Sequence, residues 1–342
     1  MEGGLKAAVK QRDLVAIKLH FGEKGNTAFI RPIFIRRIVD CVKGLGGVPF
    51  LTDTNTLYAG TRGNSVSHMD TAIANGFAYS VVNAPIVIAD GMRGASYSSI
   101  RIDQGIFETA YLAKEIVESD ALISVAHFKG HELSGFGGAI KNIGMGCASK
   151  KGKLEQHSGL SPKVKRKMCI GCGDCVQHCA SEAISMFEEK AFIDPEKCVG
   201  CGECIVICNQ GAIDVQWDAD MRKFQEKMAE YAFAVIKEKK DKTFFINFLT
   251  SISPACDCCS YSDAPIVQDI GIMASADPVA IDQASVDMVN REKGAEGSCL
   301  TSSTNPGEDK FRAVYQGIDW NIQLEYGEKI GLGTRKYELE II

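Results

Sequence analysis

Cys169, Cys172, Cys175 and Cys179 are followed by Cys198, Cys201, Cys204 and Cys208, two copies of the pattern C-x2-C-x2-C-x3-C. Thiolates bind iron and zinc. Three of them set three residues apart on one loop can each reach a different iron of a [4Fe-4S] cubane, leaving the fourth iron to be met from elsewhere. Zinc also takes paired Cys-x2-Cys ligands but needs only four ligands per ion, so the repeated three-then-one spacing suits cubanes better. A disulfide framework belongs to small secreted domains and is the weakest of these readings. Ala183-Ile184 and Ala212-Ile213 follow each fourth cysteine at the same offset, which predicts a duplicated unit with one small pseudo-symmetric core.

Residues 167 to 214 resemble a bacterial-type two-cluster [4Fe-4S] ferredoxin module. In such modules the last cysteine of each run ligates the other cluster. The resemblance therefore implies Cys169, Cys172, Cys175 and Cys208 on one cluster, and Cys198, Cys201, Cys204 and Cys179 on the second. Ferredoxins usually carry proline directly after the fourth cysteine, where this chain has Ala180 and Asn209. Proline would fix the turn and remove an amide donor, so the departure bears on local geometry and reduction potential rather than on ligation.

A second constellation runs from His127 through Lys129, His131 and Lys141 to Cys147, in a glycine-rich setting just after an apolar strand. Glycine allows close backbone approach, and amides together with Lys141 could cradle an anion. The segment lacks the G-x-x-x-x-G-K-[ST] phosphate loop. His127 and His131 would share a face if the segment were helical, as metal ligands; the alternative is a hydrogen-bonded pair that orders a loop. A third cluster, Cys256-Asp-Cys258-Cys259, again follows a strand and suggests an additional metal ion, completed by a histidine or Cys147, or a redox dithiol. Cys41 and Cys299 stand alone and read as structural.

The elements that must position these groups alternate. Strands are predicted at Leu14–Leu19, Val48–Thr52, Ile86–Ala89, Ala121–Val125 and Thr243–Phe248. Helices are predicted at Ile33–Val42, Phe107–Glu118, Met221–Lys237 and Pro278–Asn290, the last with Asp277 as N-cap before proline at N1. Strands separated by helices imply an α/β class with a mainly parallel sheet core. The expected organisation is a discontinuous α/β core of residues 1–162 and 215–342, interrupted by a small α+β ferredoxin-like insertion at 163–214. The first strand begins so early that a further N-terminal element is expected outside this sequence.

With 38 basic and 43 acidic residues the net charge is −5, which argues against nucleic acid. The basic stretch Lys163 to Lys167 reads as a solvated linker or a docking patch for an acidic redox partner protein. No run approaches the roughly 18 apolar residues of a membrane span and no signal peptide is seen, so a cytoplasmic location is expected. Fourteen cysteines point to metal or redox chemistry and an anaerobic or microaerobic host.

Lys18-Leu-His20-Phe-Gly22, Thr52-Asp53-Thr-Asn55, the His127 to Gly146 segment, Cys256-Asp-Cys258 and Ser275-Ala-Asp277 to Asp282 together resemble the domain of unknown function 362 family. The resemblance implies that His20, Asp53, Asn55, His127, His131, Lys141, Cys256 and Cys258 converge at the carboxyl edge of the sheet. The expected function is single-electron transfer through two [4Fe-4S] clusters, with a ligand or metal pocket in the α/β domain. The alternative is a ferredoxin-coupled oxidoreductase that reduces a small anionic substrate in that pocket.

Overall fold

The computed structural model describes residues 2–58, 60–157, 161–179, 182–198, 203–214 and 220–342. A six-stranded sheet runs in the order Gly271–Ser275, Thr243–Leu249, Ala121–His127, Leu14–Lys18, Val48–Asp53, Ile86–Ile88. Neighbours pair in parallel except at the Gly271–Ser275 edge, which is antiparallel to Thr243–Leu249. The Ala121–His127 and Thr243–Leu249 strands are buried at every residue, as expected of strands covered on both faces.

Strand alternation assigns each apolar residue to a layer. Val15 and Ile17 pack with Ile35, Ile38, Val39 and Val42 of the Pro32–Gly44 helix. Ala16 and Phe245 face the other way, toward Met228, Tyr231 and Val235 of the Met221–Lys239 helix and Val279 and Val286 of the Pro278–Arg291 helix. Ile17 is fully buried in its layer, and truncating it to alanine would cost about 2–5 kcal/mol through lost transfer energy and the cavity left behind. The Pro278–Arg291 helix starts as its sequence predicts: the Asp277 carboxylate accepts from the amides of Val279 (2.8 Å) and Ala280 (2.9 Å), with proline at the first turn.

The expected Phe107–Glu118 helix is not formed. Thr109–Ala113 is a strand paired antiparallel with Tyr97–Arg101, and only Lys114–Glu118 is helical. The apolar spacing of Ala110, Leu112, Ala113 and Ile116 fits either period. The strand wins because Tyr111 packs edge-on against Tyr97 at 5.3 Å across the hairpin, a cross-strand contact that local sequence does not reveal. His127 and His131 are not on a helix either. His127 ends a strand, and His131 lies in a short hairpin of Lys129–His131 with Gly135–Gly137. Gly130 is required there, since a Cβ would run into the carbonyl of Pro254.

Between Lys163 and Asp214 the chain forms a small unit with its own sheets. Lys163–Val164 pairs antiparallel with Ile213–Asp214, and Ile184–Phe187 pairs antiparallel with Lys190–Ile193. None of these strands joins the six-stranded sheet. Cys175, Ile184, Ala191, Ile193, Cys204 and Ile213 make a separate apolar cluster, so the two isoleucines at equivalent offsets share a core. Ile205 packs outward against Leu57 and Leu154 of the larger body. No helix among the described residues is long and apolar enough to cross a membrane.

Candidate functional site

From Leu14–Lys18 the sheet grows in one direction to Val48–Asp53 and Ile86–Ile88, and the chain then returns to the opposite side of Leu14–Lys18 with Ala121–His127. The crevice beyond the carboxyl ends of strands flanking such a reversal is where open α/β sheets hold ligands. A cavity of about 460 Å³ lies there, a size suited to a small organic molecule. Its wall carries Lys18, His20, Asp53, Arg62, Lys129, His131, Lys141, Lys153, Cys256 and Cys258, with Leu57, Leu133 and Met145 as apolar surface.

Asp53, the last residue of its strand, organises one end. Its carboxylate takes Lys18 Nζ at 3.0 Å and Arg62 Nη1 at 3.2 Å, and His68 Nε2 stands 3.6 Å away. Burial alone would raise the Asp53 pKa, but the Lys18 charge and the neighbouring His68 more than offset it and hold the carboxyl well below its ordinary range. Arg62 Nε also reaches Glu23 at 3.3 Å. His20 Nδ1 accepts from the Gly22 amide at 3.0 Å, and burial together with Arg62 depresses its basicity well below normal. The neutral ring therefore carries its proton on Nε2.

Lys141 and Asn142 sit on the short Ala139–Gly144 helix. Its first amides, Ala139 and Ile140, donate to the Asp282 carboxylate at 2.7 and 2.9 Å, and Asn247 Nδ2 joins at 2.8 Å. Burial pushes Asp282 up to about 6 despite these donors. Asn142 ties the helix to the sheet, accepting from Lys18 Nζ at 2.9 Å and donating to the Lys18 carbonyl at 3.1 Å and Ser124 Oγ at 2.9 Å. Lys141 Nζ donates to Cys256 Sγ at 3.2 Å. Burial disfavours the Lys141 charge, but the sulfurs of Cys256 and Cys258 and the Glu132 carboxylate outweigh it and lift the group to about 12. Cys256 is raised well above an ordinary thiol because it donates to Cys258 and is buried. At Cys258 the bond from Cys256 favours the thiolate, but the bond to Cys259 and burial prevail, pushing it up to about 11.

Two of the expected residues stand behind the wall rather than on it. His127 Nδ1 lies 2.8 Å from Asp257 Oδ1, and Nε2 lies 3.0 and 3.2 Å from the carbonyls of Thr250 and Ser251. The ring is thus held between the Asp257 carboxylate on one side and two backbone carbonyls on the other. Burial would raise Asp257, yet His127 and Lys129 hold it far below the usual carboxylate range. This pair fixes the loop that carries Cys256 and Cys258. Asn55 binds Asp90 through its amide (3.0 Å) and Nδ2 (2.8 Å), while its carbonyl accepts from Lys153 at 2.8 Å. Asp90 itself is pushed up to about 6 by burial. His20, Asp53, His131, Lys141, Cys256 and Cys258 do line the cavity. Cys147 does not: it lies in the main apolar cluster, where burial raises its thiol to about 12.

Lys18, Arg62 and Lys153 were not among the expected site residues. Lys18 had a signal, since a charge closing an apolar strand at the carboxyl edge of a parallel sheet is costly unless it serves the crevice. Arg62 and Lys153 lie in segments whose sequence gives no such pattern. Among the described residues no three His, Cys, Asp or Glu side chains are arranged to hold one metal ion. The polar groups that line the cavity include cations, imidazoles, thiols and two carboxylates.

In the small unit, Cys169, Cys172, Cys175 and Cys208 line a second, much smaller cavity. The Cys175 thiol is raised by burial and by charge on Cys208, Cys169 and Cys172. The Ala183 amide donates to Cys179 Sγ at 3.2 Å and the Ala212 amide to Cys208 Sγ at 3.3 Å, the same four-residue step in each half. Cys169 is lowered by the amide of Ala191, which outweighs its slight burial, and by that of Gly171. Amides directed at sulfur stabilise the thiolate, the form that binds metal, while among the described residues the side chains of this set are not gathered into a single-ion site. Cys179, Cys198 and Cys204 belong to the same apolar cluster; Cys201 and Ala180 lie outside the described residues.

Fold and site together define an open-sheet α/β protein with a cation-lined cavity at its topological switch. The family model described as "Domain of unknown function (DUF362)" matches residues 15–287, and the chain belongs to that family. No curated protein sequence matches it. Among solved structures it is similar to the lactate racemase apoprotein from Thermoanaerobacterium thermosaccharolyticum, with 13% identity and a TM-score of 0.43 over 85% of this chain and 52% of that one. The chain thus spans about half the length of that neighbour.

Proposed function

We propose that the chain is an iron–sulfur oxidoreductase: residues 163–214 hold two [4Fe-4S] clusters, and the cavity holds a small anionic substrate to be reduced. The observation that carries this reading is the packing of Ile205, the residue after Cys204, on the cluster of Leu57 and Leu154, of which Leu57 is itself part of the cavity wall. The cysteine unit therefore abuts the cavity rather than hanging from a distant surface. When bound, the clusters would supply single electrons. One would be held by Cys169, Cys172, Cys175 and Cys208, the other by Cys198, Cys201, Cys204 and Cys179.

The remaining groups act on the substrate. Lys18, Arg62, Lys129, Lys141 and Lys153 outnumber the Asp53 and Glu132 carboxylates on the wall and favour an anion. His20 and His131 each have Nδ1 engaged as an acceptor, the latter by the Leu133 amide at 3.2 Å. Their Nε2 protons are thereby left to donate to a substrate atom that gains negative charge. A pure electron carrier is the second reading. It is favoured by the exposure of Cys172, a place where a redox partner protein could approach one cluster.

The two readings separate in an anaerobic stopped-flow experiment. Protein reduced by a one-electron donor is mixed with small carboxylates, and the visible absorbance of the clusters is followed. Reoxidation by an anion, slowed in an Ile205→Asp variant that keeps its iron, is the expected result. Clusters that exchange electrons with a protein partner and ignore every anion would leave only the carrier.

A further inference from the structure

Three of the five cations on the cavity wall have carboxylate partners: Lys18 meets Asp53 at 3.0 Å, Arg62 meets Asp53 and Glu23 at 3.2 and 3.3 Å, and Lys129 stands 3.6 Å from Asp257. Among the described residues Lys141 and Lys153 have none within ion-pair reach. Lys141 donates to the protonated thiol of Cys256, and Lys153 donates to the Thr54 hydroxyl and the Asn55 carbonyl. Burying an ammonium without a counter-charge costs several kcal/mol. Two in one cavity describe a site whose charge balance is completed by what it binds.

The two ammonium groups occupy different ends. Lys141 meets Cys256 in the loop after Thr243–Leu249, whereas Lys153 meets Thr54 and Asn55 just past Val48–Asp53, and two strands lie between those two in the sheet. Leu57, Leu133 and Met145 supply apolar wall in the same cavity. Taking the cavity as an anion site, as proposed above, we infer that its ligand is a dianion with two acidic groups separated by a short apolar stretch, one held by Lys141 and the other by Lys153. A compact anion such as phosphate could satisfy only one end.

Lys153 gives this arrangement a second signature. Burial lowers its pKa to about 8, outweighing the attraction of Asp90 and Asp53, while Lys18 and Arg62 add to the fall. His68, His157 and Cys147 are the other titratable groups that sense it. The two histidines titrate well below pH 8 and Cys147 well above it, so none of them changes charge with Lys153. An acidic group docked on Lys153 would raise its pKa again and draw in a proton. Lys239 is also lowered to about 8, but its ammonium donates to the carbonyls of Val117 and Ser119, away from the cavity.

The test is calorimetric titration of the anaerobically purified full chain with hexanoate, adipate and inorganic phosphate. Adipate is expected to bind at least about tenfold more tightly than hexanoate. Lys141→Met and Lys153→Met should each weaken adipate by about tenfold or more, to the level at which the wild-type chain binds hexanoate. Should either variant fail to fold, a chain with both lysines still decides. In a Cys259→Ser chain, which removes the lowered thiol from the same wall, adipate binding should take up a fraction of a proton at pH 8.5 and much less at pH 7.2, above the range in which Asp90 titrates, with affinity falling as pH rises above about 8, read from heats in two buffers. Equal affinity for hexanoate and adipate, tight binding of phosphate alone, or adipate binding without proton uptake at pH 8.5 would overturn the two-anchor inference and leave an anion cavity standing. If none of the three binds, the anion cavity itself is refuted.

Discussion

Lys18 and Asp53 close the ends of adjacent parallel strands, and their side chains meet at 3.0 Å with both almost fully buried. The strand register pairs Lys18 with Thr52, so Asp53 reaches one residue further and takes Arg62 on its other oxygen at 3.2 Å. One carboxylate thus neutralises two cations that line the cavity. Removing it would leave both charged in a poorly hydrated site.

Asp53→Asn is accordingly expected to lower stability by about 3–5 kcal/mol, the usual result of breaking a buried ion pair from one side. Urea unfolding followed by circular dichroism measures it. A loss below about 1 kcal/mol, the value of an exposed pair, would mean that water already screens the network.

The same carboxylate shapes the acid limb. Asp53 and Asp257 are both held well below the usual carboxylate range. A depressed carboxyl contributes stability that is present above its unfolded pKa and lost as pH falls through the folded one. The stability of the wild-type chain should therefore decline steeply below pH 4, and Asp53→Asn should make that limb shallower. An unchanged slope in the variant would assign the acid sensitivity to other groups.

His127→Ala strands the buried Asp257 charge and frees the Cys256–Cys259 loop. We expect about 3–5 kcal/mol of destabilisation and faster labelling of Cys256 and Cys258 by a maleimide, read by peptide mass spectrometry. Labelling at the wild-type rate would show that the loop is held by its other contacts, such as the Glu23 amide bond to the Asp257 carbonyl at 2.9 Å.

Thiol ionisation supplies an internal comparison within three residues. Cys258 is pushed up to about 11 and Cys256 is raised well above an ordinary thiol, whereas Cys259 is lowered by its bond from Cys258, which outweighs partial burial. Since the thiolate is the nucleophile, alkylation at pH 8 should mark Cys259 first, with Cys258 catching up only as pH approaches 11. Equal rates at pH 8 would contradict this order.

Cys172→Ala is predicted to cut iron from about eight per chain to about four, as loss of one of two cubanes requires, while the six-stranded sheet keeps its unfolding midpoint. Those strands share no pairing with the 163–214 unit. A fall in global stability equal to that of Asp53→Asn would contradict an insertion that folds on its own core.

Much of this was legible in the sequence wherever a local rule decided the outcome. The Pro278–Arg291 helix began at its Asp277 cap, and strands such as Leu14–Lys18 and Thr243–Leu249 appeared as apolar runs. The parallel class followed from their alternation with helices. Thr109–Ala113 was misread because its partner Tyr97 is remote in local pattern though near in space. At the site, His20, Asp53, His131, Lys141, Cys256 and Cys258 were named from motif residues and do share a wall. His127 and Asn55 carried the same motif signal yet act through Asp257 and Lys153, because a motif marks a neighbourhood and not which side chain reaches the ligand. Arg62 and Lys153 were missed because long side chains arrive from segments with no pattern of their own.

The most direct test of the central claim is elemental analysis of anaerobically purified protein, counting iron, acid-labile sulfide and zinc. Two cubanes predict about eight irons with matching sulfide per chain. Zinc in place of iron, or iron without sulfide, would contradict the iron–sulfur oxidoreductase at its foundation.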